Sequence, residues 1–226
     1  VPESDNWQEW FERAWQVREE EIFTRLFGRN DKQIYVLTPE IFDRFGQAAE
    51  TIDPRWLHYG VLPYAPNEGR ASWAYVSSGL SNAWEDDSPN PSGPSGLGME
   101  FVFQTPEFED WAVLRLLHLV AFQILLAHGR YPGKDILDVY HRLSLGGSIA
   151  PQESALTCLM VGPPDGFDER IHLPSGWVDL LSVVGVSADE VGYAKQNGGG
   201  RLVELLREHR AFPVTDWRRK TIESAG

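Results

Sequence analysis

Near the start of the chain, apolar residues recur at spacings of three and four. Trp7, Trp10, Phe11, Ala14, Ile22 and Leu26 fall on one stripe, which predicts an amphipathic helix over residues 4–27. Ser4 or Asp5 is placed to cap it by accepting a backbone N–H bond, and Gly28 to end it in the left-handed conformation. The charged run 18–21 is assigned to its wet side. Strand-like runs follow at 33–37, 57–62, 72–77 and 99–104, with a short helix beginning at Pro39. In the last of these runs Met99, Phe101 and Phe103 alternate with Glu100, Val102 and Gln104, the pattern of a strand with one drier face.

The segment 107–128 is apolar nearly all round, so it is expected as a helix in the middle of the domain, stopped by Gly129. Beyond it, 156–161, 170–173 and 177–184 read as strands. Pro174-Ser175-Gly176 makes the last two a hairpin, and the apolar run 177–185 suits a central strand. A helix from Ser187 to about Gln196 breaks at Asn197-Gly198-Gly199-Gly200 and resumes over 202–209. The one long irregular stretch, 82–96, is rich in proline, glycine and serine and is expected as an exposed loop. It carries Trp84 beside Glu85, Asp86 and Asp87.

Composition narrows the partners. The 226 residues include nine tryptophans and eleven phenylalanines, so the core is largely aromatic. The formal net charge of -13 argues against nucleic acid and anionic membranes and suits a partner with a basic surface. Solubility alone also accounts for such a charge. Cys158 is the single cysteine, so no intramolecular disulfide forms, which fits a reducing compartment. No basic segment followed by an apolar stretch opens the chain, so a cytoplasmic protein without a secretory signal is expected. The apolar run 111–127 is interrupted by Arg115, His118 and Gln123 and is read as a buried helix rather than a membrane span.

Catalytic patterns are weak. Ser95 sits in Gly-Pro-Ser-Gly, but the nucleophile elbow needs glycine where Leu97 stands, and a strand follows instead of a helix. His118 and His128 are ten residues apart, about 15 Å along a helix axis and too far for one ion. Asp138 and His141 at a spacing of three are assigned a hydrogen bond before a metal. Asn197 to Gly200 lacks the Lys-Ser/Thr ending of a phosphate loop and follows a helix. Among 33 acidic residues no carboxylate pair is singled out for glycosidase chemistry. No catalytic, cofactor or metal residue is assigned.

Five segments in order resemble the Suppressor of fused domain: AYVSSGLSNAW (74–84), GPSGLGMEFVF (93–103), GWVDLLSVVGVSADEV (176–191), LVELL (202–206) and VTDWRRKTI (214–222). The resemblance spans residues 56–222, and residues 1–50 are joined to it by continuity. It implies a mixed α/β domain without known catalytic activity. In animals the family's signalling members hold a transcription factor inactive by gripping a peptide from it. They carry a second, C-terminal domain, so the resemblance here is to the compact bacterial form, whose relatives are proposed to be immunity proteins against secreted toxins.

Each segment also has a physical reading. Gly93, Gly96 and Gly98 allow a sharp turn into the strand at Met99, and Asp216 with Arg218 and Arg219 is placed to fix the C-terminal tail through a local charge pair. Together these readings give one α/β domain over 1–226, a mixed β-sheet packed around the central apolar helix, and a non-catalytic protein-binding role. Three functions are carried forward: an immunity protein that blocks a basic toxin, an adaptor holding a peptide by strand addition, and an unrecognised hydrolase. The partner surface is assigned to Trp84, Glu85, Asp86 and Asp87. Trp84 is expected as an exposed anchor, with packing back onto the core as the competing reading.

Overall fold

The computed structural model describes residues 4–30, 34–84, 88–167 and 170–222. The N-terminal stripe folds as one long helix with an unexpected middle. Helix α1 (Ser4–Gln16) runs into a π-helical stretch (Val17–Phe23) and then α2 (Thr24–Phe27), which ends at Gly28 with φ 93°. A π turn bonds i to i+5 and so inserts one residue into the helical period. Buried positions accordingly run Trp10, Ala14, Arg18, and then Phe23 and Phe27, with a step of five after Arg18. That slip replaces the predicted Ile22 and Leu26 by Phe23 and Phe27 on the buried face. It also overturns the placement of 18–21 on the wet side, because Arg18 is buried. The side chain of Trp7 and those of the predicted caps Ser4 and Asp5 lie outside the described ones.

The chain continues through β1 (Tyr35–Val36), α3 (Pro39–Asp43), a 3-10 turn (Pro54–His58), β2 (Gly60–Tyr64), β3 (Trp73–Ser78), β4 (Pro94–Thr105), α4 (Asp110–Ala127) and β5 (Arg142–Ser144). It closes with β6 (Leu156–Gly162), β7 (Arg170–Leu173), β8 (Gly176–Ser187), α5 (Ala188–Asn197) and α6 (Gly199–Glu208). The predicted strand at 57–62 is half replaced by the 3-10 turn, where Asp53 accepts a bond from the Arg55 backbone and Pro54 fits the first turn. The strand predicted from 33 is shorter, and residue 33 lies outside the described ones.

The strands form one sheet in the order β1-β2-β3-β4-β8-β6-β5, with β7 also paired to β8. All pairs are antiparallel except β4 with β8, where Met99 stands opposite Asp179 and Phe103 opposite Val183. The hairpin β7–β8 and the central place of β8 agree with the sequence reading.

Strand β8 sorts the core by parity. Leu181 and Val183 face α4, together with Tyr75, Phe101 and Phe103. On the opposite face Leu180 meets the N-terminal helix, while Val184 and Val186 meet α5 and α6. The sheet is thus covered on both faces rather than wrapped around one helix. This corrects the expected drier face of β4: Glu100 and Gln104 are buried along with Phe101 and Phe103. Helix α4 is apolar enough to span a membrane by length and composition, but 67% of that stretch is buried inside the protein.

The predicted helix start at Ser187 and the break after it are both present, with the second helix beginning at Gly199 rather than Leu202. Ser187 and Glu190 form a capping box at the start of α5, and Gly198 (φ 95°) breaks α5 from α6. At the C-terminus Arg218 stands 3.5 Å from Asp216, but Arg219 turns away. It donates to Glu190 at 2.5 and 2.8 Å and to the Gly185 carbonyl at 2.8 Å, so beside its local pair the tail is fixed to α5 and β8.

Candidate functional site

The first two family-like segments meet at one place, the turn that leaves β3. Gly79 has φ 131°, and a Cβ there would come within 2.6 Å of the Tyr59 ring, so only glycine fits. The buried carboxylate of Glu100 on β4 receives this turn. It accepts from the Gly79 amide at 2.9 Å, the Ser81 amide at 3.0 Å, the Ser81 hydroxyl at 2.7 Å and the Ser77 hydroxyl at 2.5 Å. Burial pushes its pKa up, while Arg18 and the hydrogen bonds from Ser77 and Ser81 pull it down.

Arg18 completes the cluster from the other side. Its guanidinium lies 3.9 Å from Glu100 and donates to Ser78 at 2.9 Å, Ser81 at 2.9 Å and Asn82 at 2.7 Å. The π turn is what aims it here. Glu19 joins through Arg18 and a very short contact with the Ser78 hydroxyl.

The second segment runs beside the first. Leu97 donates to the Leu80 carbonyl at 2.8 Å, and the Ser95 hydroxyl donates to the Ser81 carbonyl at 2.7 Å and pairs with Ser175 at 2.6 Å. Ser95 is buried and serves this seam. The expected exposed loop over 82–96 is therefore anchored at both ends, with Ala83 and Ser95 buried, and its exposed described residues are 88–92 and Pro94.

Trp84 lies directly beyond this clamp. It is half-buried, with its ring 4.4 Å from that of Phe11 on α1 and 6.4 Å from His58. Of the two readings, packing back onto the fold describes the ring better: the helix supplies an aromatic neighbour that the local sequence does not reveal. Glu85, Asp86 and Asp87 lie outside the described residues.

On one side of Trp84 opens a groove of about 520 Å³, bordered by Phe11, Trp15, Ile34, Val36 and Leu57. Trp15, Ile34 and Val36 are 41%, 38% and 43% exposed, three of the five large apolar side chains that stand out to solvent among the described residues. Val36 belongs to β1, the terminal strand of the sheet, which among the described residues pairs only with β2, and Ile34 directly precedes it. The groove thus joins exposed apolar surface to a sheet edge. Sequence reasoning found Trp84 but not Trp15 or Val36, because their partners come from distant segments.

The other candidates sit apart. His118 and His128 occupy opposite ends of the second half of α4, near Phe45 and Trp56 respectively. Residues 138 and 141 are not helical, and the His141 Nδ1 accepts from the Asp138 backbone amide at 3.0 Å. No group of three His, Cys, Asp or Glu with metal-holding geometry occurs among the described residues.

The family model of the Suppressor of fused protein (SUFU) matches residues 55–220. No curated protein matches the chain. Three of the solved structures that share its fold illustrate the likeness. A chain of the Sufu–Fu complex has a TM-score of 0.65 at 16% identity, with 92% of each chain covered. A SUFU homologue from Neisseria gonorrhoeae has a TM-score of 0.62 at 15% identity, covering 96% of this chain and 100% of that one. Drosophila Suppressor of Fused has a TM-score of 0.56 at 19% identity, over 72% of this chain. The present chain spans only 42% of the Drosophila one.

Proposed function

This chain belongs to the Suppressor of fused protein family, and from that premise we propose that it binds a basic protein partner through the groove beside Trp84. The observation that carries the reading is the cluster of exposed Trp15, Ile34 and Val36 against Trp84 at the sheet edge. Apolar side chains grouped at a surface mark a contact site, and aromatic residues such as Trp15 and Trp84 dominate the energetics of such sites. The net charge of -13 favours a basic partner, with opposite fields raising the encounter rate. The complex of a related protein with Fu supports protein binding as the mode of action.

The specific role is neutralisation of a basic toxin in the cytoplasm. The test is co-expression with a basic toxin encoded beside this gene. The wild-type chain is expected to restore growth and to form a complex, whereas Trp15→Glu with Val36→Glu abolishes both while remaining folded. Equal protection by that variant overturns the groove as the binding surface.

The unpaired side of β1 favours a second reading, an adaptor that adds an extended peptide as a further strand. In that case a linear segment of the partner binds alone, and backbone N-methylation of alternate peptide residues removes the affinity. A partner that binds only as a folded domain decides for neutralisation.

A further inference from the structure

Trp84 has a second side. Behind it lies a cavity of about 520 Å³ between the 3-10 turn, the clamp and the end of α4. Its walls are Trp56, Leu80, Leu97 and Ile124, with Trp84 and Tyr59 closing it. Arg55, Asn82 and His128 also line it, so the cavity sets an apolar wall against polar edges, and such a volume suits a ring with a polar tip rather than ordered water alone. Among the described residues of the rim, the Arg55 guanidinium is held in a fork by Asp53 at 3.0 and 2.7 Å. Tyr59 supplies the polar group. It is only 6% exposed, and its hydroxyl makes no hydrogen bond among the described residues. Burial, followed by the nearby Glu100 charge, raises its pKa, so the phenol stays protonated. A hydroxyl that borders the cavity without a protein partner is available to a ligand, and one neutral hydrogen bond to it adds modestly to binding.

We propose that this cavity is an anchor pocket for one polar-tipped aromatic side chain of the protein partner, a tyrosine or tryptophan whose hydroxyl or indole N–H pairs with the Tyr59 hydroxyl. Because Trp84 borders both hollows, a partner lying along the groove reaches the cavity across that ring. The assignment rests on the groove reading for the identity of the partner, but not for the chemistry of the pocket.

The test uses p-cresol, 3-methylindole and toluene as side-chain probes, titrated into the whole protein and followed by NMR. One neutral hydrogen bond corresponds to a preference of roughly three- to tenfold for p-cresol and 3-methylindole over toluene. Tyr59→Phe is expected to erase that preference while leaving toluene binding unchanged. Ala127, exposed at the mouth, gives a plug that spares the core: Ala127→Trp is expected to block all three probes and to weaken the toxin complex at least about tenfold. Absence of probe binding, or equal binding of toluene and p-cresol, overturns the pocket whatever the groove variants do. If Ala127→Trp leaves the complex untouched while Trp15→Glu weakens it, the groove stands and the anchor falls. If the probes bind as expected and the plug weakens the complex, the anchor holds even where Trp15→Glu has no effect and the groove reading fails.

Discussion

The guanidinium of Arg18 stands 3.9 Å from the carboxylate of Glu100, and both side chains are removed from solvent. One comes from a helix that sequence pattern marks as amphipathic, the other from a strand that it marks as half-wet. Between them they hold the turn that presents Trp84. A buried ion pair contributes little net stability against an apolar pair of similar volume, but breaking it is expensive.

Arg18→Met is therefore expected to cost about 3–5 kcal/mol, because Glu100 is left buried without its cation and Ser78, Ser81 and Asn82 lose their donor. Urea unfolding checks the loss. Adding Glu100→Gln, which keeps an acceptor for the Gly79 and Ser81 amides, is expected to restore most of it. Simple additivity of the two losses would mean that the groups do not act as a pair.

Gly79→Ala tests the turn itself. The position has φ 131°, and the added carbon meets the Tyr59 ring at 2.6 Å. Backbone strain alone costs about 1–3 kcal/mol, and the clash adds to it. A fall in thermal midpoint of at least several degrees is expected, together with reduced affinity for the aromatic probes, since Tyr59 must shift.

His118 makes stability depend on pH. Burial, then the charges of Arg44 and Arg115, lowers its pKa from 6.5 to about 4. The unfolded chain thus takes up this proton first, so the contribution is complete above pH 6.5 and is lost as pH falls towards 4. His118→Gln is expected to flatten the stability profile over that window, measured as the difference between the two proteins at pH 7, 6 and 5. Parallel profiles would show that the imidazole is solvated.

At the groove, Trp84→Ala removes the ring that packs at a tilt against Phe11. Dissociation of the partner is expected to speed up by more than about tenfold with little change in association, as for a buried aromatic hot spot. Asp86→Asn with Asp87→Asn is expected to do the reverse, lowering the on-rate and its salt dependence. Surface plasmon resonance separates the two effects.

The mixed α/β class, helix α4, the β7–β8 hairpin and the α5–α6 break were all legible in the sequence. Each is written in local periodicity or in turn and cap residues. The π turn was not, because its signal is a single slipped residue in a pattern that otherwise continues to Phe27. Missing it put Arg18 in water. Glu100 was misplaced for a related reason: alternation names the two faces of a strand but not what covers each, and its cover is Arg18, 82 positions earlier. The site was half legible. Trp84 drew notice as a large ring in a polar stretch, but Trp15, Val36 and Tyr59 acquire meaning only through contacts across the fold.

The parallel pairing of β4 with β8 has a consequence for synthesis. Met99 must wait for Asp179, 80 residues later (179 minus 99), before the centre of the sheet can close. At ribosomal speeds of about 5–20 residues per second, β4 spends roughly 4–16 s with an open edge and an apolar surface. Long-range parallel contacts also form slowly once the chain is complete. The nascent protein is thus most vulnerable to aggregation before β8 emerges, and its yield in the cell should depend on chaperone supply more than its finished stability suggests.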